Sequence, residues 1–111
     1  IIIIRIPNFD NIYRFTLGDD FLKDDYRTSH NYYFNEKSLD YMFQKIGLKT
    51  IKKTGLQEYS LNNFASYLKF RKRPKKKLLK LFRNKDDEIF KKNVEGSMTS
   101  TSLLYILKNN A

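Results

Sequence analysis

The stretch SLLYILK at residues 102–108 is a continuous apolar run, which is typical of a strand buried on both faces of a sheet. A second such run, IIIIRI at residues 1–6, is closed by Pro7, which cannot donate to a sheet ladder. Residues 48–59 (LKTIKKTGLQEY) are extended but lysine-rich and interrupted at Gly55, which suits an outer strand. We therefore predict that the first and last runs lie side by side in the sheet interior, with the middle run outside them.

Two helices follow from capping residues and apolar periodicity. The first spans residues 35–47, because Asn35 is a favourable N-cap and Gly47 suits a left-handed C-cap. Its predicted apolar face consists of Leu39, Met42, Phe43 and Ile46. The second begins after the N-cap Ser60 and is ended or kinked by Pro74. Its predicted apolar face consists of Leu61, Phe64, Ala65 and Leu68.

Two other regions are less regular. Residues 8–34 lack sustained periodicity, so we predict a long loop with one helical turn at residues 19–23. A loop this long in a compact domain is usually functional, and we expect a lid. Residues 75–83 form a short basic amphipathic stretch, and a third helix is predicted at residues 86–95 before the break at Gly96. Its inward side chains are predicted to be Ile89, Phe90 and Val94.

Composition limits the class of protein. A chain of 111 residues with 41% hydrophobic side chains suits one small globular domain rather than two domains or a disordered chain. The absence of cysteine excludes disulfides and thiolate metal sites, so a reducing cytoplasm is the expected localisation. No segment approaches the roughly 20 consecutive apolar residues that a membrane-spanning helix needs.

The net charge of +10 is concentrated in residues 69–80 (KFRKRPKKKLLK). Such a run suits either a surface for nucleic acid or anionic membrane, or a solvated face without a specific partner. Aromatic interleaving is thin, with Phe70 alone inside the run, so stacking on bases has little support. We favour the solvated face, or a docking site for an acidic partner or a nucleotide-linked acceptor.

Several short motifs occur in a characteristic order. IIIIRIPN at residues 1–8 precedes HNYYFNEKSLDYMFQKIG at residues 30–47, QEYSLNN at residues 57–63 and STSLLY at residues 100–105. In this order they resemble the second half of class I S-adenosylmethionine-dependent methyltransferases. The first motif resembles the family's fifth strand, the third its sixth strand and following turn, and the last its seventh strand.

This resemblance implies an α/β fold, namely the last three strands of a Rossmann-like seven-stranded sheet with flanking helices. In that family the seventh strand inserts antiparallel between the fifth and sixth. Residues 1–111 would then be the C-terminal portion of a single methyltransferase domain, without its N-terminal cofactor-binding half. The cofactor S-adenosylmethionine would be bound mainly by a glycine-rich motif upstream of Ile1, because none of the four glycines here forms such a loop.

The resemblance also suggests site residues. His30 is the candidate catalytic base, and its alternative role is a structural hydrogen bond within the loop. Asn8 follows the first strand, where it would either bind the substrate or form the turn. Tyr32 and Tyr33 would either line an acceptor pocket or pack in the core. No metal site is predicted, because His30 is the only histidine and the aspartates near residue 20 lack partner ligands.

We therefore expect an S-adenosylmethionine-dependent methyltransferase that acts on a small-molecule acceptor. Two alternatives remain open at this point. One is a basic nucleic-acid-binding module, which would bind DNA or RNA with a steep salt dependence. The other is an inactive methyltransferase-like interaction domain, which would lack the glycine-rich loop altogether.

Overall fold

A computed structural model of the protein describes residues 1–25, 34–75 and 78–109. Within these ranges it contains three strands and five helices, so the predicted α/β class is confirmed. In chain order they are β1 (Ile2–Pro7), α1 (Ile12–Leu17), α2 (Asp19–Asp25), α3 (Glu36–Lys45), β2 (Leu48–Leu56), α4 (Leu61–Phe70), α5 (Asn84–Gly96) and β3 (Ser102–Asn109). None of the helices in these ranges is long and apolar enough to cross a membrane.

The three strands form one sheet in the order β1-β3-β2. Strand β3 is antiparallel to both neighbours, so β1 and β2 run in the same direction. Ser102, the first residue of β3, pairs with Pro7 on one side and with Leu56 on the other. The predicted pairing of the first and last apolar runs is therefore confirmed, as is the outer position of the lysine-rich strand.

Helix α3 covers one face of the sheet and forms the first part of the core. Leu39 and Phe43 of α3 pack against the alternate β3 side chains Leu103, Tyr105 and Leu107, all buried. The rings of Phe43 and Tyr105 meet edge to face with centroids 5.1 Å apart. The predicted N-cap is confirmed, because the side chain of Asn35 accepts from the backbone N–H of Ser38. Ile46 lies beyond the helix and is exposed, contrary to the prediction.

The prediction that residues 1–6 are buried on both faces is wrong for the described structure. Strand β1 is an edge strand whose only described neighbour is β3. Ile4 and Ile6 pack partly against the core, whereas Ile2 and Ile3 point to exposed surfaces. A run of β-branched residues is compatible with either position, because apolar content alone does not show how many neighbours a strand has.

Residues 12–25 are helical, so the prediction of a long loop from residue 8 is wrong over this part. Tyr13, Leu17 and Phe21 are buried at intervals of four residues and form a second core cluster with Phe64 and Tyr67 of α4. The predicted helical turn at residues 19–23 is part of α2. Gly18 separates α1 from α2 with a φ of 55°, a left-handed conformation that glycine adopts without a steric penalty.

Helices α4 and α5 occur where expected, with differences in their buried faces. Ser60 caps α4, as predicted, by accepting from the backbone N–H of Asn63. Tyr67 is buried and Leu68 is largely exposed, so the core face of α4 is rotated relative to the prediction. The helix ends at Arg71, which adopts the left-handed conformation, and therefore ends before Pro74. In α5, Val94 is buried as predicted, but Ile89 is exposed.

Gly55 lies inside β2 rather than interrupting it, and it permits a close approach between β2 and α5. A Cβ at this position would lie 2.8 Å from the backbone of Glu95 and would also collide with the hydroxyl of Ser100. The constraint comes from backbone atoms, which cannot move away as a flexible side chain can. Glycine is therefore required here because of space and not because of its φ angle.

We predict that Gly55→Ala lowers the free energy of unfolding by about 1–3 kcal/mol, because the added methyl overpacks this contact. Urea denaturation followed by circular dichroism measures the change. Gly96→Ala is the matched control, since a Cβ there meets no atom within 4 Å. Equal stability of the two variants would contradict the proposed close packing of β2 against α5.

Candidate functional site

A cavity of about 270 Å³ opens at the edge of the sheet where β1 and β2 end and β3 begins. Its size is near the lower end of the roughly 300–1,000 Å³ that is common for small-molecule sites. Pro7, Asn8, Thr101 and Ser102 contribute the strand ends, and helices α1, α2 and α4 contribute the opposite wall. Ligands of open α/β sheets commonly bind at the carboxyl ends of parallel strands, which is where this cavity lies.

The floor of the cavity is fixed by Asn8. Its side-chain amide donates to the carbonyls of Met98 and Ser100, both at 2.9 Å, and its oxygen accepts from the backbone N–H of Asp10. Asn8 is buried, and these bonds tie the end of β1 to the loop before β3. The turn-forming alternative accounts for the contacts of Asn8, whereas direct binding of a substrate stays a prediction.

Gln57, which directly follows β2, holds the same loop from the other side. Its side-chain oxygen accepts from the backbone N–H of Thr101 at 3.0 Å, and its amide donates to the carbonyl of Tyr59 at 3.0 Å. Glu58 accepts hydrogen bonds from Arg5 and from the hydroxyl of Ser102. Sequence reasoning noted this segment only as part of a motif and assigned no role to Gln57 or Glu58.

Aromatic side chains form the wall that faces the strand ends. The buried ring of Tyr13 lies against Tyr59, Phe21 and Tyr67, with centroid separations of 6.3, 5.7 and 5.5 Å. The hydroxyl of Tyr13 donates to the side-chain oxygen of Asn63 at 2.7 Å. Burial raises the pKa of Tyr13 well above its ordinary value, and the neighbouring Tyr59, Tyr67 and Asp87 raise it further. Tyr13 is therefore a neutral hydrogen-bond donor near pH 7 and not a base.

Three of the predicted site residues, His30, Tyr32 and Tyr33, lie outside the described residues. The described chain resumes at Phe34, which forms a parallel bridge with Asn8 and accepts from the backbone N–H of Phe9 at 2.7 Å. Phe34 and Asn35 thus lie beside the end of β1. The predicted roles of His30, Tyr32 and Tyr33 stay predictions.

A wider groove of about 670 Å³ lies between α3 and β2, but its chemistry is that of a solvated surface. Lys53 makes ion pairs with Asp40 at 2.7 Å and with Glu36 at 2.8 Å. Lys53 donates hydrogen bonds to the carboxylates of Asp40 and Glu36, and these bonds raise its pKa above the ordinary value. The hydroxyl of Tyr105 also donates to Asp40, at 3.0 Å. These groups bind one another and link α3 to the sheet.

The described residues do not fit S-adenosylmethionine. Binding of its nucleoside needs a glycine-rich turn after a strand and an acidic residue at the end of the next strand. Gly18, Gly47 and Gly96 end helices or link them, and the space beside Gly55 is filled by Glu95 and Ser100. Among the described residues there is likewise no group of three or more acidic or histidine side chains that could hold a metal ion.

Comparison with protein-family models, with curated proteins and with solved structures finds no match for this chain. The methyltransferase resemblance therefore rests on the motifs in the sequence alone. No residue role is transferred from a relative. The cavity at the strand ends is the candidate site because of its own geometry.

We predict that Asn8→Ala lowers the free energy of unfolding by about 2 kcal/mol, because the buried carbonyl of Ser100 and the part-buried carbonyl of Met98 lose their donor. Chemical denaturation of the purified chain measures the loss. Thr101→Val is the matched control in the same loop, since its buried hydroxyl has no hydrogen-bond partner among the described residues. That substitution should change stability little, and a loss as large as that of Asn8→Ala would contradict the assigned role of Asn8.

Proposed function

We propose that this chain is the acceptor-binding portion of an S-adenosylmethionine-dependent methyltransferase that acts on a small molecule. The observation that supports the proposal best is the strand arrangement. The resemblance implies a last strand inserted antiparallel between two strands that run parallel to each other, and β3 lies between β1 and β2 in this way. The finer assignment to a seven-stranded Rossmann-like sheet is part of this proposal.

The position of the cavity gives the proposal its second support. Transfer of a methyl group from a sulfonium requires the acceptor atom to be aligned with the methyl carbon and shielded from water. Aromatic side chains such as Tyr59 and Phe21 would exclude water from the bound acceptor. Asn63 and Ser102, whose polar side chains also line the cavity, would orient it. The cavity thus has an apolar wall and a few convergent polar groups, as small-molecule sites commonly do.

The proposal assigns no cofactor-binding role to the described residues, because they do not fit the cofactor. S-adenosylmethionine would supply the methyl group when bound by other residues of the enzyme. The contribution of this chain would be to bind and orient the acceptor. Residues that bind the acceptor can then be distinguished by experiment from residues that bind the cofactor. Substitutions in the cavity should lower methyl transfer to the acceptor and leave the affinity for the cofactor unchanged.

Tyr59→Ala tests the acceptor role. The protein is expressed with any residues that its gene encodes before Ile1, and transfer of labelled methyl groups to a small-molecule extract is measured. We expect transfer to fall at least about 10-fold through loss of apolar contact, with unchanged affinity for S-adenosylhomocysteine by calorimetry. Tyr41→Ala is the matched control, because Tyr41 is 63% exposed on α3 and Tyr59 is 50% exposed at the cavity.

The same assay distinguishes the alternatives. If the expressed protein does not bind S-adenosylhomocysteine, this result would contradict the enzyme proposal and favour an inactive interaction domain. Equal effects of Tyr59→Ala and Tyr41→Ala would contradict the assignment of this cavity to the acceptor. Both measurements require that the variants are correctly folded. Unchanged affinity for S-adenosylhomocysteine demonstrates that they are.

His30→Ala tests the predicted base in the same protein. His30 precedes Phe34 by four residues, and Phe34 is bridged to Asn8 at the cavity. If His30 removes a proton from the acceptor, kcat should fall about 100-fold or more, and added imidazole should restore part of it. A structural histidine would instead give a less stable protein without rescue by imidazole, and that result would contradict the catalytic role.

A further inference from the structure

Residues 68–83 have an unusual composition, and we call them the amphiphilic segment. These sixteen residues, LKFRKRPKKKLLKLFR, comprise nine Lys or Arg, six Leu or Phe and one Pro. They contain no acidic residue and no uncharged polar residue. They therefore account for nine of the ten surplus positive charges of the chain. A merely solvated face would not need six large apolar side chains among its charges.

The structure fixes part of this segment against α4. The side-chain oxygen of Asn62 accepts from the backbone N–H groups of Leu81 and Phe82, at 3.0 and 2.9 Å. The hydroxyl of Ser66 accepts from the backbone N–H of Leu79 at 2.8 Å. Residues 79–82 therefore run back along the helix from which the segment started. The backbone of this part is held by side chains of α4.

Most of the apolar side chains of the segment are exposed at the surface, whereas Leu79 is partly buried. Leu81 is 65% exposed, and Phe70, Leu78 and Phe82 are each at least 40% exposed. Lys69, which precedes Phe70, and Lys72, Lys75 and Lys80, which lie between Phe70 and Leu81 in sequence, are exposed as well. The described part of the segment thus presents Leu and Phe side chains together with several ammonium groups. Lys76 and Lys77 lie outside the described residues.

We propose that the amphiphilic segment docks the protein on the surface of an anionic lipid bilayer. Lys and Arg side chains near such a surface are attracted by its negative potential, and Leu and Phe side chains gain free energy by entering the boundary between headgroups and acyl chains. The basic side chains of the segment would thus contact the anionic surface, and its apolar side chains would enter the boundary between headgroups and acyl chains. The proposal concerns peripheral docking and does not depend on the proposed methyltransferase function.

Single-stranded nucleic acid fits the same charge but not the apolar groups. Nucleic-acid surfaces combine cations with aromatic rings on which bases stack. Four of the six apolar residues in the segment are leucines, which cannot stack on a base. Exposure of Leu81 and Leu78 therefore favours lipid as the partner.

Docking would also orient the candidate site. Arg73 and Pro74 belong to the segment and line the cavity at the strand ends. A membrane in contact with the segment would therefore lie beside the mouth of the cavity. Any ligand of the cavity would then be taken up close to the lipid surface.

Co-sedimentation of the 111-residue chain with lipid vesicles tests the electrostatic part of the proposal. We expect binding to vesicles of phosphatidylcholine with phosphatidylglycerol and little binding to phosphatidylcholine alone. The triple variant Lys72→Glu, Lys75→Glu and Lys80→Glu should lower the partition coefficient by about 100-fold or more. The matched control, Lys37→Glu, Lys45→Glu and Lys49→Glu, makes the same charge change at exposed lysines on α3 and β2 and should have a much smaller effect.

The apolar part of the proposal is tested by Leu81→Ser, which should weaken vesicle binding about 10-fold. Ile46→Ser is its control, because Ile46 is 63% exposed and lies outside the segment. Circular dichroism establishes that each variant is folded. Failure to bind anionic vesicles, or equal effects of Leu81→Ser and Ile46→Ser, would overturn the proposal. Tighter binding to a single-stranded RNA, unaffected by Leu81→Ser, would also overturn it and assign the surface to nucleic acid.

Discussion

The antiparallel pairing of β3 with both β1 and β2 is the constraint on which the rest of the structure depends. It brings the first residue of β3 beside the last residues of the two other strands, so that Ser102 pairs with Pro7 and Leu56. The loop before β3, residues 97–101, must then pass over the ends of β1 and β2 within a short distance. We call it the crossing loop. Both the cavity and the close contact of α5 with β2 are consequences of that crossing.

The buried side chains of Asn8 and Gln57 bind backbone groups of the crossing loop. Asn8 donates to two of its carbonyls, and Gln57 accepts from the backbone N–H of Thr101. A buried polar backbone group without a partner costs about 1–3 kcal/mol, so these two side chains stabilise the sheet edge as effectively as apolar packing does elsewhere. The backbone at the floor of the candidate site is therefore held in place by side-chain hydrogen bonds.

Local sequence determined much of the fold. The predictions that are wrong concern residues whose burial depends on tertiary contacts. Apolar runs and N-caps such as Asn35 and Ser60 act within a few residues, so the strands, the pairing of β1 with β3 and three helices could be predicted. The central position of β3 was implied only by the resemblance, and the interior position predicted for β1 is wrong. The repeat Tyr13, Leu17, Phe21 was missed because it crosses Gly18 and the aspartates that follow, which together suggest a loop. Gln57 was noted as part of a motif, but its role could not be predicted, since a single glutamine looks the same in sequence whether it is solvated or buried against a loop.

Helix α4 connects the two surfaces to which we assign roles. On one face, Asn62 and Ser66 are four residues apart and bind the backbone of the amphiphilic segment. On another face, Asn63 and Tyr67 are also four residues apart and contact Tyr13 at the cavity wall. Because side chains four residues apart share a face of a helix, one short helix fixes the distance between segment and cavity. Residues 79–82 of the amphiphilic segment and the aromatic wall of the cavity are therefore held by different faces of the same helix.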